Sequence, residues 1–206
     1  LAWRNPDEFV GRTQLREISL RTFYFTPTVA LELNEMISVA VGVSLVPATL
    51  FLEQEIGATD NQQPLFPQGS LLEVSANAFG VGATAGVHVD LIDHLRLGFV
   101  FKSAVDLSFD GDANFTVPED VPLSVRQNFP DQTGSGAITI PHSFGLGVGW
   151  EQGPLTLEAG AQLTLWESYD ELRLNFDTGR PSPSSATPKD WNSTPLFRVG
   201  AEYRLG

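Results

Sequence analysis

The sequence predicts an all-β protein, an antiparallel transmembrane β-barrel of the outer-membrane type, with about seven long strands present of a larger wall. Three observations predict it. Apolar residues alternate with polar or small ones over runs far longer than the five or six residues of an ordinary strand. The connections between these runs are alternately tight and long. No apolar run reaches the roughly 18 residues that a membrane-crossing helix requires.

Residues 22–34 place Phe23, Phe25, Val29, Leu31 and Leu33 on one face, and residues 36–47 do the same with Ile37, Val39, Val41, Val43 and Leu45. Between Leu72 and Asp90 the apolar parity changes from even (Leu72, Val74, Ala76, Ala78) to odd (Val81, Ala83, Ala85, Val87, Val89), which predicts a bulge near residues 78–80. Strictest of all is Leu95, Leu97, Phe99, Phe101, Ser103, Val105, Leu107, Phe109, read as one strand with one lipid-facing side. Residues 137–151 put Ile138, Ile140, Phe144, Leu146, Val148 and Trp150 outward. The last two runs, 155–166 and 196–205, alternate in the same way, the latter through Phe197, Val199, Ala201, Tyr203 and Leu205.

Tight turns are expected at Asn34-Glu35, Leu91 to Asp93 and Gln152-Gly153, and long polar connections at 48–71, 111–136 and 178–195. This is the short-periplasmic, long-extracellular asymmetry of outer-membrane barrels. Such barrels usually close on an even number of strands, since an open edge in hydrocarbon leaves backbone groups unpaired. Residues 1–206 are therefore expected to form one partial barrel domain, an internal portion of a longer protein.

Composition narrows the function. Aliphatic and aromatic residues make up 42% and charged residues 18%, and the net charge of -13 argues against nucleic acid, which needs clustered Lys and Arg. With no cysteine there is neither a disulfide framework nor a thiolate metal site. His88, His94 and His142 have no zinc-ligand spacing, and no nucleophile elbow is present, so the chain is not expected to be an enzyme or to hold a cofactor. Asp106, Asp110, Asp112 and Asn114 around Gly111 lack the calcium-loop spacing. Gly145-x-Gly147-x-Gly149 lies inside a strand, so it is no phosphate loop.

If the apolar face meets lipid, the opposite face carries Glu32, His88, Arg96, Lys102, Asp106, Glu158, Arg198, Glu202 and Arg204. Lys102, expected across from Gly82, is the first candidate for a substrate carboxylate, with Asp106 as its structural alternative. Arg198, Glu202 and Arg204 with Glu158 read as an ion-pair ladder, with carboxylate steering as the functional alternative, and Arg96 joins the candidate set. Leu50, Phe51, Leu52, Leu65, Phe66, Phe115, Val121, Leu123 and Phe129 fall in the expected loops, where they could form a greasy capture groove or pack the loops together. Phe51 and Phe66 are the candidates of that groove. Trp150, Trp166, Tyr169, Trp191 and Tyr203 are expected at the membrane interface.

Several phrases in order resemble the FadL-type long-chain fatty acid transporters of the outer membrane. They are Pro27-Thr28-Val29-Ala30, Gly80-Val81-Gly82 with Gly86, Leu95-Arg96-Leu97-Gly98-Phe99 with Lys102-Ser103, and Ile138-Thr139-Ile140-Pro141. Trp166-Glu167-Ser168-Tyr169-Asp170 and Val199-Gly200-Ala201-Glu202-Tyr203-Arg204-Leu205 follow. The resemblance implies a barrel of about fourteen strands in the bacterial outer membrane with a lumenal N-terminal hatch, the hatch and later strands having no counterpart here. It implies passive passage of long-chain fatty acids or other hydrophobic molecules, aromatic hydrocarbons among them, with sideways release. Lipid and lipopolysaccharide would be its surroundings, and no oligomer is required. The reading from a different class is a soluble lipid-binding β-barrel or sandwich, whose apolar rows would be buried against a second layer.

Overall fold

The computed structural model describes residues 16–55, 70–119, 121–127, 129–168, 171–176, 187–188 and 191–205. Its strands are β1 (Glu17–Thr22), β2 (Thr28–Asn34), β3 (Ile37–Glu55), β4 (Leu71–Ile92), β5 (Leu95–Lys102), β6 (Val105–Thr116), β7 (Gln132–Ile140), β8 (Ser143–Gln152), β9 (Leu155–Thr164), β10 (Glu171–Phe176), β11 (Thr187–Pro188) and β12 (Thr194–Tyr203). A one-turn helix α1 (Leu123–Arg126) interrupts them. No helix among the described residues is long and apolar enough to cross a membrane.

The pairing merges these pieces into a meander of seven long strands curled into half a barrel. β3 and β4 are strands two and three. The others are broken once each: β1 with β2, β5 with β6, β7 with β8, β9 with β10, and β11 with β12. The breaks lie side by side and form a seam across the wall. Below it, β4 pairs with β5, β5 with β8, β8 with β9 and β9 with β12. Above it, β4 pairs with β6, β6 with β7 and β7 with β10.

The lower ends close in tight turns. At Asn34 the side-chain Oδ1 accepts from the backbone N–H groups of Met36 and Ile37, and Gly153 takes φ 60°, a left-handed conformation that favours glycine. The turns expected at 34–35, 91–93 and 152–153 lie at 35–36, 93–94 and 153–154, one or two residues further along.

Above and below the seam the wall is inside out. Below it, Val29, Leu31, Val41, Val43, Val81, Phe99, Leu146, Phe197 and Val199 are exposed on the convex side, and among the described residues no second layer covers them. Above it, Val46, Ala48, Leu50, Leu52, Leu72, Val74, Ala76, Leu107, Phe109 and Phe115 are buried on the concave side. Their partners on the convex face there are Glu73, Ser75, Asn77, Asp106, Ser108, Asp110 and Asp112, all exposed. An exposed apolar row suits hydrocarbon, whereas an exposed row of carboxylates and amides suits water. The seam therefore marks the upper margin of the lipid-facing band.

Four expectations are corrected by the observed wall. There is no bulge near Ala78 to Gly80: β3 and β4 keep one register from Ile37↔Val89 to Glu55↔Leu71. The apolar residues change face there because the surroundings change, while the backbone runs on. The true irregularity is at Ser103-Ala104. β4 pairs Thr84↔Lys102 below and Ala78↔Phe109 above, a register offset by one residue, and one residue turns a strand over. The alternating row from Leu95 to Phe109 is thus two half-rows on opposite faces, Leu95 to Phe101 outward and Val105 to Phe109 inward. The same reversal at Pro141-His142 turns Ile138 and Ile140 inward, where they pack on the core, while Phe144 to Trp150 stay outward. Finally, the strands project farther than expected, so Leu50, Phe51 and Leu52 belong to β3 and Phe115 to β6.

Candidate functional site

The inversion gives the concave side two levels. In the lower one a groove of about 780 Å³ runs over Gly98, Gly145, Gly147, Gly149, Gly160 and Gly200, rimmed by His88, Arg96, Lys102, Glu158 and Arg198. Glycines dominate its floor at Gly98↔Gly147↔Gly160, so the cations stand on a surface with few side chains of its own.

The cations differ in their freedom. Arg96 Nη2 binds Glu151 Oε2 at 2.6 Å, and Glu151 Oε1 also meets Arg204 Nη1 at 3.5 Å, whose Nε reaches Glu202 Oε1 at 3.3 Å. This is the lumenal ladder, with Glu151 and Arg96 as members that the spacing did not reveal; Glu158 lines the groove outside it. Arg198 Nη2 donates to Gln162 Oε1 at 3.2 Å. His88 faces Asp90 at 3.2 Å.

Lys102 is different. It stands opposite Thr84 and Ser143 rather than Gly82. The acid considered as its partner, Asp106, lies on the other face, above the Ser103-Ala104 reversal, where its Oδ1 accepts from Thr139 Oγ1 at 2.7 Å. Among the described residues no carboxylate lies within ion-pair distance of Lys102.

Directly above the seam is the second level, an apolar chamber of about 210 Å³. Ile18 and Leu20 of β1, Leu50 and Leu52 of β3, Val74 of β4 and Ile138 and Ile140 of β7 line it, together with Trp166 and Trp191. Strands that are not neighbours in the sheet meet across this space, which the curl of the wall brings about. The two indoles lie edge to face with ring centroids 5.2 Å apart. Trp166 and Trp191, expected at the membrane interface, line this chamber at the seam, with Trp191 about half exposed, whereas Trp150 and Tyr203 are on the lower outer face, opposite Leu95 and Leu155.

The expected capture groove fares differently. Phe51 sits on the odd, outer face of β3 between Ser19 and Ser75 and lines neither space. Phe66, Leu65 and Tyr169 lie outside the described residues. Phe115 and Phe129 pack against each other inside the upper core, their centroids 6.4 Å apart. No metal-holding group of three or more His, Cys, Asp or Glu side chains occurs among the described residues.

A family model described as "Outer membrane protein transport protein (OMPP1/FadL/TodX)" matches residues 2–206. A crystal structure of a Pseudomonas aeruginosa FadL homologue superposes on 100% of this chain and 50% of its own, with TM-score 0.84 and 19% identity. The Ralstonia pickettii toluene transporter TbuX covers 92% of this chain and 53% of its own, with TM-score 0.69 and 18% identity. A structure titled "CymD monoaromatic hydrocarbon channel" covers 92% and 57%, with TM-score 0.70 and 16% identity. The chain spans about half the length of these relatives. No curated protein matches it in sequence. With a half-barrel wall whose apolar belt faces outward and a family match over nearly its whole length, the chain belongs to the OMPP1/FadL/TodX family of outer-membrane transport proteins.

Proposed function

We propose that the chain forms half the wall of a passive outer-membrane channel for hydrophobic molecules, and that its cargo is an amphiphile of the long-chain fatty acid kind. The observation that carries this reading is the stacking of the two levels at the seam. An apolar chamber lies immediately above an ammonium that has no carboxylate partner among the described residues, since Val105↔Ile140 and Lys102↔Ser143 flank the break. A carboxylate lodged beside Lys102 gains a charge-assisted hydrogen bond and relieves an isolated lumenal charge. The chain above it lies against Ile138, Ile140 and Leu50. Arg198, held only by a neutral amide, and Arg96, already paired, serve as secondary contacts for the head group.

Nothing in this arrangement forms or breaks a covalent bond. Affinity comes from apolar contact and a few polar groups, and passage follows the concentration gradient. Lipid and lipopolysaccharide meet the convex face.

The test compares a fatty acid with the fatty alcohol of equal length in the full-length barrel. A charge-assisted hydrogen bond contributes about 1.5–3 kcal/mol, so Lys102→Ala should weaken oleate binding roughly tenfold or more and leave the alcohol unchanged. Equal affinity of wild type and variant for oleate removes Lys102 from the site.

A second reading, aromatic hydrocarbon passage, is favoured by the chamber itself. At about 210 Å³ it is smaller than the roughly 300–1,000 Å³ of drug-sized pockets, and two indole rings border it. Under that reading toluene binds more tightly than oleate, and Lys102→Ala changes neither.

A further inference from the structure

The seam would leave backbone groups unpaired in the wall, and two side chains close it. Ser103 holds the strand-three side: its N–H donates to Ala83 O at 2.8 Å, and its Oγ accepts from Ala83 N–H at 2.8 Å and donates to Ala104 O at 2.9 Å. On the strand-five side, Ala104 N–H donates to His142 Nδ1 at 2.9 Å, and His142 O accepts from Leu165 N–H at 3.0 Å. His142 follows Pro141, which brings no N–H of its own to the ladder. The imidazole lies on the Phe101 ring, with centroids 5.7 Å apart and planes 18° apart, and Phe101 in turn meets Phe144 at 5.1 Å. It therefore sits half-buried on the convex side at the upper margin of the lipid-facing band.

A ring nitrogen accepts a hydrogen bond only when it carries no proton. The geometry thus fixes His142 as the neutral tautomer with its proton on Nε2. A second proton goes to Nδ1, where it meets the Ala104 N–H head-on and abolishes the bond. The groups around it do not replace that bond. From β5 and β6 come Lys102, which points into the lumen, and Asp106, engaged by Thr139 on the same convex face. From the turn after β9 comes Glu167, which accepts from Ser193 N–H at 3.4 Å. β7 brings no charged residue, and the only one on β8 is Glu151, near its lower end. Asp106 is the carboxylate in register beyond Ala104 that a displaced imidazolium would meet.

We propose that His142 is a proton-sensitive stitch in the barrel wall: neutral, it holds strands four and five together at the seam, and protonated, it releases Ala104 and opens the wall beside the apolar chamber. The sign is set by the acceptor role: the stitch is intact while Nδ1 carries no proton and is lost when a proton is added there. The proposal is independent of what the channel carries.

The test is hydrogen exchange of the Ala104 amide in the full-length barrel in detergent, corrected for the intrinsic exchange rate. Between about pH 8 and about pH 5, the range over which imidazoles change charge, protection of Ala104 should fall at least about tenfold in wild type. His142→Asn offers an acceptor oxygen near the Nδ1 position without titrating, and should keep the protection at both pH values. His142→Phe keeps the stack on Phe101 without the acceptor, and should lack protection at both. Constant wild-type protection overturns the proposal, as does an Asn variant that repeats the wild-type pH dependence. Nitrogen NMR showing the His142 proton on Nδ1 at the higher pH overturns it as well.

Discussion

Single side chains in this wall are worth very different amounts, and their surroundings decide which. A Cβ added at Gly82 would stand 2.8 Å from Val105 Cγ2 and 3.2 Å from Ser103 Oγ, whereas one added at Gly98 meets nothing within 4 Å. Gly82→Ala should therefore cost about 1–3 kcal/mol through overpacking at the seam, and Gly98→Ala should stay within about 0.5 kcal/mol of wild type. Urea unfolding of the full-length barrel in detergent or lipid measures both, and equal costs would mean that the seam is not tightly packed. The lumenal ladder lies at the other end of the scale. Arg96, Glu151 and Arg204 are roughly a third to two thirds exposed, so Glu151→Gln should change stability by no more than about 1 kcal/mol. Lys102 has neither a carboxylate nor an amide partner among the described residues, whereas Gln162 holds Arg198 and Glu151 holds Arg96 and Arg204, and that is what makes it a candidate for cargo rather than for structure.

At the scale of the strand, the seam divides each element into a part that faces lipid and a part that faces water. Identical substitutions should therefore have opposite consequences on its two sides. Leu146→Arg, on the convex face of β8, places a guanidinium in hydrocarbon and should cost about 2–4 kcal/mol. Ser108→Arg, on the convex face of β6, enters water beside carboxylates and should stay within about 0.5 kcal/mol. Leu107→Ala removes a side chain with 1% exposure from the concave core, and comparable truncations cost about 2–5 kcal/mol. The ranking of these three by equilibrium unfolding checks the inversion directly; a costly Ser108→Arg would place lipid above the seam and refute it. That the strands are long and the lower turns tight was legible in the sequence, because a period of two and an Asn or Gly at a tight turn are local properties; how far the strands project above the seam was not. The face of each half-strand was not. Val105, Leu107 and Phe109 continue the parity of Leu95 to Phe101, and only the one-residue offset against β4 shows that they turn inward.

For the whole molecule, the decisive fact is that both sides of the described wall end in unpaired strands. β12 pairs only with β9, and β1 and β2 pair only with β3. An open edge in hydrocarbon exposes a row of N–H and C=O groups at several kcal/mol each. Residues 16–205 expressed alone should consequently fail to give a protease-resistant, heat-modifiable barrel in detergent, whereas the full-length protein should give one. Protease-resistant insertion of this span alone would show that its edges close on each other.

Side-chain order along the chain sets the class of the wall: long alternating strands, short lower turns and an apolar belt follow from it. The tertiary structure decided which way each half-strand faces, which cation is unpaired and where Trp166 and Trp191 go. The physical reason is that alternation records only that two faces differ. Whether the apolar one meets lipid or a shared interior depends on the register with the neighbouring strand and on the height of the residue relative to the bilayer, and neither quantity is written in the local order of residues.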